Sequence, residues 1–322
     1  MRGWFLSTML VASIGVPCAA AAASYGPDCC FAPAAAVSAP TPAGQPVFGV
    51  FDNGVPEALV RDSGGGLFVA QFVDGRFGPP SARPGPVVAR DLQVGDVDGD
   101  GVEDLVERDG LVVSVVRSIG TAFEAPRRVS TLPHADAEWR VGDFDGDEAF
   151  DIIVLNRRTG RVRVTEHALG KDAITVAAGR WPMAYTFMIA DVDRDGQDDA
   201  VGVDARTGRV RVGFSIATEF ERRHADWRIP AGAQLASADV TGDGLADLVF
   251  RAKGSDDVFV RRALQTDETT SFHTARRWGR WDRRLPLTTA YLNGVRAGLA
   301  ARDPRTGRIM VALSRARLAS SS

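Results

Sequence analysis

Short apolar runs separated by turn residues repeat along most of the chain. The runs DLVERD, DIIVLN, DAVGVD and DLVF each begin at an aspartate, and the later segments RVRVTEH and RVRVGFS alternate between charged and apolar residues. Alternation with a period of two indicates half-buried β-strands, and a short apolar run bounded by turn signals suits a buried strand. No amphipathic helix of useful length interrupts the pattern. It therefore predicts an all-β chain built from many short strands.

An aspartate-rich segment of nine residues recurs between these strands at a nearly constant interval. Its copies are DVDGDGVED from Asp96, DFDGDEAFD from Asp143, DVDRDGQDD from Asp191 and DVTGDGLAD from Asp239, and their starts are separated by 47, 48 and 48 residues. A fixed period in this range is the signature of a repeat architecture. The sequence therefore predicts a series of similar units, each with room for four short strands.

Two further copies are recognisable although they have lost most of the acids. FGVFDNGVPEALVRD, from Phe48, keeps Asp52, and TTAYLNGVRAGLAARD, from Thr288, keeps Asn293. Terminal repeats are commonly atypical, and one four-stranded unit cannot bury both of its faces, so the units must pack in a ring. Because the last repeat ends soon after RIMVALS, near its third strand, we expect the segment near residues 35–47 to supply a closing strand.

The acids of each segment are spaced so that they can surround one cation. In the first copy they stand at positions 1, 3, 5 and 9, position 7 offers a backbone carbonyl, and Gly99 and Gly101 permit a tight turn. An all-oxygen shell suits Ca²⁺, whereas Mg²⁺ requires stricter geometry and transition metals recruit the histidine or cysteine that these segments lack. The predicted ligands of four Ca²⁺ sites are Asp96, Asp98, Asp100, Val102 and Asp104; Asp143, Asp145, Asp147, Ala149 and Asp151; Asp191, Asp193, Asp195, Gln197 and Asp199; and Asp239, Thr241, Asp243, Leu245 and Asp247.

Two other interpretations of the spaced aspartates are open. An EF-hand would need a bidentate glutamate at position 12 between two helices, whereas here an aspartate at position 9 precedes an apolar strand, which indicates a hairpin loop. Asp-Gly turns without metal would leave about four like charges crowded in each loop. The sites differ, because Glu148 replaces the usual glycine at position 6 of the second loop, and Thr241 removes one charge from the fourth, which we expect to be weakest.

The blocks GDVDGDGVEDLV and GDFDGDEAFDIIV, with TGRVRV after the second, resemble the FG-GAP/VCBS repeat family. These are the calcium-loop repeats of integrin α-chain heads and of many secreted bacterial proteins. The resemblance covers about residues 46–322 and implies a single β-propeller of six four-stranded blades, or alternatively seven, with calcium in the hairpin between the first two strands of a blade. It implies no particular activity, since the family serves many purposes.

The first residues of the chain predict export. Arg2 precedes an apolar run of thirteen residues, Trp4 to Val16, which is too short to span a membrane, and small residues at 21–23 would permit cleavage. We therefore predict a signal peptide at residues 1–23 and a secreted or periplasmic protein. No later segment is long and apolar enough to predict a transmembrane span.

The composition changes again between the predicted signal peptide and the repeats. Residues 24–45 are rich in alanine and proline, which is typical of a flexible linker, and they contain Cys29 and Cys30. This pair is either unstructured, or it forms an inter-chain disulfide or a tether. The predicted propeller itself, residues 46–322, has no cysteine, so packing and metal would have to hold it together.

Charge and motif content narrow the possible functions. With 38 basic and 41 acidic residues the net charge is −3, which argues against a nucleic-acid partner. The chain has no HExxH, no G-x-S-x-G and no phosphate-binding loop, so we expect no enzymatic activity. His134 and His224 occupy similar HAD contexts, either as repeated surface turns or as a base or ligand on one rim of the ring.

Tryptophans recur near the end of most repeats, at positions 139, 181, 227 and 278. They could pack between blades, which their regular occurrence favours, or stack on sugars as in a lectin. The stretch RRWGRWDRR, residues 276–284, is either a connector or a surface for an anionic glycan or protein. We therefore predict a secreted, calcium-binding, non-catalytic binding or scaffold module for a protein or glycan partner, with a lectin or a polysaccharide lyase as alternatives.

Overall fold

The computed structural model describes residues 31–32, 34–36, 46–52, 54–86, 89, 91–170, 173–216, 220–265, 270–294 and 296–315. The predicted signal peptide, Cys29 and Cys30 lie outside these residues. Within the described parts the secondary structure is made of β-strands and turns, and no helix there is long and apolar enough to cross a membrane.

The strands form six antiparallel sheets, which are the blades of one β-propeller. The first blade consists of β2 (Val47–Gly49), β3 (Glu57–Arg61), β4 (Leu67–Val73) and β6 (Ser81–Arg83), with β5 (Arg76–Phe77) paired to the end of β4. The second consists of β7 (Asp91–Gly95), β8 (Asp104–Asp109), β9 (Val112–Val116) and β10 (Arg127–Thr131). The third consists of β11 (Glu138–Gly142), β12 (Asp151–Leu155), β13 (Arg161–Glu166) and β14 (Ile174–Arg180).

The remaining three blades repeat this arrangement. The fourth consists of β15 (Met188–Ala190), β16 (Asp199–Val203), β17 (Arg209–Ser215) and β18 (Phe220–Arg228). The fifth consists of β19 (Gln234–Ala238), β20 (Asp247–Arg251), β21 (Asp257–Arg261) and β24 (Arg276–Arg280), with the hairpin β22 (Ala263–Gln265) and β23 (Thr270–Phe272) inserted before its last strand. The sixth consists of β25 (Thr289–Tyr291), β26 (Ala297–Arg302), β27 (Ile309–Ala312) and β1 (Ala35–Ala36). The prediction of six four-stranded blades is confirmed.

The first strand of each blade lies nearest the axis of the ring. Each of these strands contacts the first strand of the next blade, and β25 contacts β2 to complete the circle. The second strand of each blade is buried along most of its length, as in DIIVL and DAVGV, because both of its faces pack against neighbouring blades. The hydrophobic core is therefore divided among the interfaces between blades.

The ring closes by pairing of the two ends of the described chain. Strand β1 runs antiparallel to β27, with Ala35 opposite Val311, and Phe31 forms a further bridge with Ser314. The Phe31 side chain is 2% exposed and packs edge-on against Trp278, with ring centroids 6.5 Å apart. Burial of a phenylalanine contributes roughly 1.5–3 kcal/mol. The expected closing strand is confirmed, because β1 lies within the segment predicted to supply it, and the bridge at Phe31 extends the pairing upstream of that segment.

Serine hydroxyls join the blades in pairs. In the second, fourth and sixth blades, a serine at the end of the third strand or just beyond it donates a hydrogen bond to a backbone carbonyl of the preceding blade. The pairs are Ser118 Oγ to Phe51 O, Ser215 Oγ to Phe144 O at 2.8 Å, and Ser314 Oγ to Val240 O at 2.5 Å. All three serines are buried. These serine hydrogen bonds therefore reinforce every second interface of the ring.

Candidate metal centres

Each aspartate-rich segment forms the loop between the first and second strands of its blade. The four loops lie between β7 and β8, β11 and β12, β15 and β16, and β19 and β20. The predicted hairpins are therefore present, and the EF-hand alternative fails because strands flank every loop. Since the first strands surround the axis, the four loops lie at the inner corner of consecutive blades.

The carboxylate at position 1 holds the turn of each loop. Asp96 accepts hydrogen bonds from the backbone N–H groups of Asp100 at 3.1 Å and Gly101 at 2.7 Å. Asp143 does the same for Gly146 at 2.7 Å and Glu148 at 2.9 Å. These bonds wrap the backbone around the carboxylate and leave the loop concave.

Positions 4 and 6 of each loop adopt left-handed backbone conformations. The φ angles are 71° at Gly99 and 84° at Gly101 in the first loop. Glu148, which departs from glycine at position 6, keeps φ at 71°, so the second loop retains the common shape at the cost of a strained residue. Arg194, at position 4 of the third loop, has φ of 63° and is a departure from glycine that sequence reasoning missed.

The carboxylate at position 9 is buried at the base of the loop. Asp104 is 1% exposed and accepts hydrogen bonds from Val97 N at 3.3 Å and from Ser118 N, beyond the third strand, at 2.8 Å. Burial raises the pKa of Asp104 to about 7; its backbone hydrogen bonds oppose the shift, and Asp98 and Asp100 add to it. By the same desolvation the pKa rises to about 8 for Asp151 and Asp199 and to about 7 for Asp247.

The loops bring three carboxylates together in three of the four cases. Oxygens of positions 1, 3 and 9 lie within 4.8 Å of one another in the sets Asp96, Asp98 and Asp104; Asp143, Asp145 and Asp151; and Asp191, Asp193 and Asp199. One oxygen of Asp98 is buried without a hydrogen-bond partner. These crowded and incompletely paired oxygens fit a hard cation such as Ca²⁺.

Position 5 has a different local role from positions 1, 3 and 9. The carboxylates of Asp100, Asp147, Asp195 and Asp243 each accept the N–H of position 7, at 2.9, 2.9, 2.8 and 3.0 Å. These bonds hold the backbone of the position-7 residues within the loop; the residues are Val102, Ala149, Gln197 and Leu245. A cation could draw position 5 into its shell by competing for this carboxylate.

The fourth loop differs because Thr241 replaces an acid at position 3. Among the described residues, Asp239 and Asp247 gain no third acid, histidine or cysteine close enough to complete such a group. Arg296 of the sixth blade lies on this loop and donates a hydrogen bond from Nε to Thr241 O at 2.8 Å. A guanidinium therefore approaches the loop that has one carboxylate fewer.

Basic side chains from elsewhere in the fold also reach the first and second loops. Arg117, just beyond β9, forms an ion pair with Asp98 and lies 3.8 Å from Asp100. His167, just beyond β13, has Nδ1 3.0 Å from Asp147 and groups with Asp145 and Asp147 as a possible donor set. No histidine belongs to the loop sequences, but the fold brings one to the second loop.

The loops also join one blade to the next. The backbone N–H of position 8 donates to the carbonyl of position 1 in the preceding blade, or to its equivalent in the first blade. The five bonds are Glu103 to Val50 at 2.8 Å, Phe150 to Asp96 at 2.7 Å, Asp198 to Asp143 at 2.5 Å, Ala246 to Asp191 at 2.9 Å and Ala297 to Asp239 at 2.8 Å. At the sixth interface Pro56 occupies this position and has no N–H to donate.

The residue before a loop makes room for the side chain at position 8 of the next blade. A Cβ on Gly142 would lie 2.5 Å from the Asp198 carboxylate, and one on Gly95 would lie 2.2 Å from Phe150. Where the residue at position 8 is small, as at Ala246 of the fifth blade, the residue before the loop of the preceding blade is an alanine, Ala190, instead of a glycine. A loop that is pinned in place therefore also fixes how adjacent blades pack.

The tryptophans whose side chains the structure describes are buried and pack within the protein. Trp139 and Trp181 are 2% exposed, and their indole N–H groups donate to Asp91 Oδ2 at 3.1 Å and Thr186 O at 2.9 Å. Their burial excludes them as platforms for a sugar. The side chains of Trp227 and His224 lie outside the described residues.

The stretch at 276–284 is not the aromatic surface that its sequence suggested. Trp278 is 7% exposed and Trp281 is fully buried, so neither is presented to a partner. Several of its arginines are used within the blade, such as Arg280 with Asp256 at 3.2 Å. His134 likewise contacts its own blade, through Nε2 and Asn156 Oδ1 at 2.9 Å. These observations favour the structural interpretation of both features.

Comparison with models of known protein families gave no match, and comparison with curated proteins gave none either. Among solved structures, the chain is similar to a lectin of Agrocybe aegerita described as recognising non-reducing terminal N-acetylglucosamine, with TM-score 0.55, 16% identity, and 84% and 80% of the two chains covered. Regucalcin from Agrobacterium tumefaciens, described as calcium-binding, has TM-score 0.49 and 13% identity over 88% and 98% of the chains. At these identities the likeness is one of fold.

One similar structure corrects the expectation of no enzymatic activity. It is a protein from Thermus thermophilus provisionally assigned as an oxidoreductase, a glucose dehydrogenase, with TM-score 0.52, 13% identity, and 88% and 100% of the two chains covered. We expected no enzymatic activity because catalytic motifs are missing. That inference was wrong, since a protein assigned as an enzyme has a similar fold. The likeness gives this chain no particular reaction.

Proposed function

We propose that this chain is a calcium-binding β-propeller that acts as a binding or scaffold module for a protein or glycan partner. The observation that carries the proposal is the convergence of three carboxylates within 4.8 Å in three consecutive loops. Without a cation such groups repel one another, and burial makes the charged state still less favourable. With Ca²⁺ bound, the same oxygens would hold the inner hairpin of the blade.

The role proposed for calcium is to stabilise the ring. Each loop donates to or accepts from its neighbours through the position 1 and position 8 backbone groups, so a bound ion would reinforce two blade interfaces at once. A ligand that binds only the folded state adds about 2.7 kcal/mol at a hundredfold excess over its dissociation constant. The second loop could use His167 as an additional ligand beside Asp145 and Asp147.

We further propose that the chain is an FG-GAP/VCBS-type protein and is exported. The acidic nonapeptide at the inner hairpin of four consecutive blades supports the first part. The apolar N-terminal run after Arg2 supports the second. Calcium outside the cytosol would suit loops of modest affinity, with dissociation constants on the order of 10⁻⁴–10⁻³ M.

A thermal melt of the full chain in millimolar calcium and in excess chelator tests this proposal. We expect calcium to raise the melting temperature by several degrees and magnesium at equal concentration to raise it less. Calorimetric titration should give at least three sites, since three loops bring three carboxylates together. An unchanged melting temperature in calcium would contradict the proposal.

A further inference from the structure

The ring has two faces that are built from different parts of each blade. Because the strands of a blade are antiparallel, the loop between its first and second strands and the connection between its third and fourth strands lie on one face, here called the loop face. The turn between the second and third strands, such as residues 204–208 of the fourth blade, lies on the opposite face together with the connection to the next blade; this is the turn face. All four acidic loops therefore lie on the loop face.

The loop face stays negatively charged when its metal sites are filled. Each of the first three acidic loops has four acids, at positions 1, 3, 5 and 9, so the two charges of a bound Ca²⁺ would neutralise only half of them. Glu148 in the second loop and Glu166 beside it add further negative charge. Arg117 and Arg296 offset only part of this charge. The loop face therefore attracts a positively charged surface.

The turn face carries arginines that are held in equivalent places. In the third, fourth and sixth blades, the turn begins with a residue whose side-chain oxygen accepts the N–H of an arginine two positions later. The three bonds are Arg158 N to Asn156 Oδ1, Arg206 N to Asp204 Oδ1 and Arg305 N to Asp303 Oδ1, each at 2.9 Å. All three arginines are exposed. The repeat therefore places a basic side chain at the same point of three blades.

Positive charge is in excess on the turn face. Several of its acids already pair with arginines of the same face, as Asp136 does with Arg158 at 3.2 Å and Asp282 does with Arg284. Other exposed basic side chains of this face form no ion pair in the described part of the chain; they are Arg206, Arg209, Arg228, Lys253, Arg305 and Arg308. The turn face is therefore opposite in charge to the loop face.

Exposed apolar side chains also lie on both faces. Those at strand ends on the loop face are between 46% and 55% exposed, and they are Val73, Ile119, Ile174, Ile216 and Tyr291. On the turn face, Leu111 is 41% exposed and Met183 is 56% exposed. A partner that covered both faces would remove this apolar surface from water, which is favourable.

We propose that copies of this chain stack head to tail, with the turn face of one copy against the loop face of the next. The chain itself supplies the two surfaces of opposite charge, and stacking would bury apolar side chains of both faces. A polyanion would cover only the turn face and would leave Ile119 and Ile216 exposed. The contact joins two different faces, so it is heterologous and leaves one free face at each end of the stack. This interaction goes beyond the proposed function and requires no glycan.

Sedimentation velocity of the calcium-loaded full chain tests the proposal. We expect the sedimentation coefficient to rise with protein concentration over the micromolar range and to fall as salt is raised, because the faces attract by charge. Arg206→Glu with Arg305→Glu, which reverses two charges of the turn face, should weaken the association about tenfold or more. Ile119→Arg with Ile216→Arg, which places positive charge on the loop face, should weaken it as well.

A mixture of these two double variants tests the head-to-tail arrangement. Each variant alone should be monomeric at a concentration where the unaltered chain associates, because one of its faces is disabled. Mixed in equal amounts, they should form a complex of two chains and no larger, because one intact loop face meets one intact turn face. A turn-face variant that still associates by itself, or a mixture that stays monomeric, overturns the proposal.

Arg128→Glu with Arg163→Glu is the matched control for the turn-face variant. Both arginines are exposed within strands β10 and β13, and their replacement changes the net charge by the same amount. This control should associate as the unaltered chain does, and thermal melts in calcium show whether each variant is folded. The proposal also fails if the control loses association as strongly as the turn-face variant. It fails too if the unaltered chain stays monomeric, including the case in which its turn face binds polygalacturonate instead.

Discussion

The inner corner of the first blade and that of the fourth hold buried acids in equivalent places. In the first blade, Glu57 stands opposite Gly49 in the strand register, as Asp199 stands opposite Ala190 in the fourth. Arg83 pairs with Glu57 from a strand of the same blade. In the described part of the chain no basic side chain forms an ion pair with Asp199 or with the rest of its loop.

The difference shows two ways to balance buried negative charge. In the first blade the guanidinium of Arg83 is part of the chain itself, so the charge of Glu57 is balanced without a bound ion. The fourth blade keeps its acids close together, and burial and mutual repulsion raise the pKa of Asp193 to about 6. An external cation would have to supply the charge that Arg83 supplies in the first blade. The stability of the first blade should therefore not change with calcium, whereas the stability of the fourth blade should increase when calcium binds.

The largest expected effect is that of Arg83→Ala. It would leave Glu57 buried without its guanidinium, and breaking a buried ion pair costs about 3–5 kcal/mol. The free energy of unfolding from denaturant titration should fall by this amount in calcium and in chelator alike. Arg163→Ala, at an exposed position of β13, is the control and should change it by less than about 0.5 kcal/mol. A loss seen only in chelator would contradict the comparison.

An intermediate effect is expected of Asp193→Asn. In saturating calcium it should lower the stability by up to about 2.7 kcal/mol, the contribution of one well-occupied site. In chelator it should be neutral or stabilising, since it removes one of the mutually repelling carboxylates. Melting temperatures in the two conditions measure this. Equal losses of melting temperature in both conditions would mean that Asp193 stabilises the loop by its own contacts and not by binding calcium.

The smallest expected effect is that of Arg117→Ala on the first loop. Arg117 pairs with Asp98, so it competes with a cation for that carboxylate. Because the side chain is 36% exposed, the pair is worth no more than about 1 kcal/mol, and calcium affinity at this loop should rise a few-fold. Calorimetric titration would measure this affinity in a chain whose other loops are disabled by Asp145→Asn, Asp193→Asn and Asp243→Asn. A weaker site would show that Arg117 supports the loop instead of competing.

Much of the fold could be predicted because its signals are local. The loop acids recur at fixed spacing, and the strands that follow them are marked by apolar runs such as DIIVL, so repeat number, strand order and loop position could be predicted from residues close together in sequence. The pairing of the chain ends was also predictable, since the last repeat lacked a strand. The bridge at Phe31, upstream of the predicted segment, was not predictable, because Phe31 is held by its packing against Trp278.

The charge balance of each corner could not be predicted from the sequence. Arg83 lies 31 residues from Asp52, and such partners meet only when strands of a blade are aligned in register. His167 reaches the second loop in the same way. The tryptophans and the arginine-rich stretch gave ambiguous patterns, because burial depends on the neighbouring blade.

The sequence by itself determined the repeat, the six blades and the places where a cation could be held, since backbone turns and strand periodicity depend on near neighbours. Only the tertiary structure decided which acids have a basic partner, as Glu57 does, and which carry a buried oxygen without a hydrogen bond, as Asp98 does. Electrostatic pairing acts across strands that are distant in sequence, and it is therefore fixed by packing.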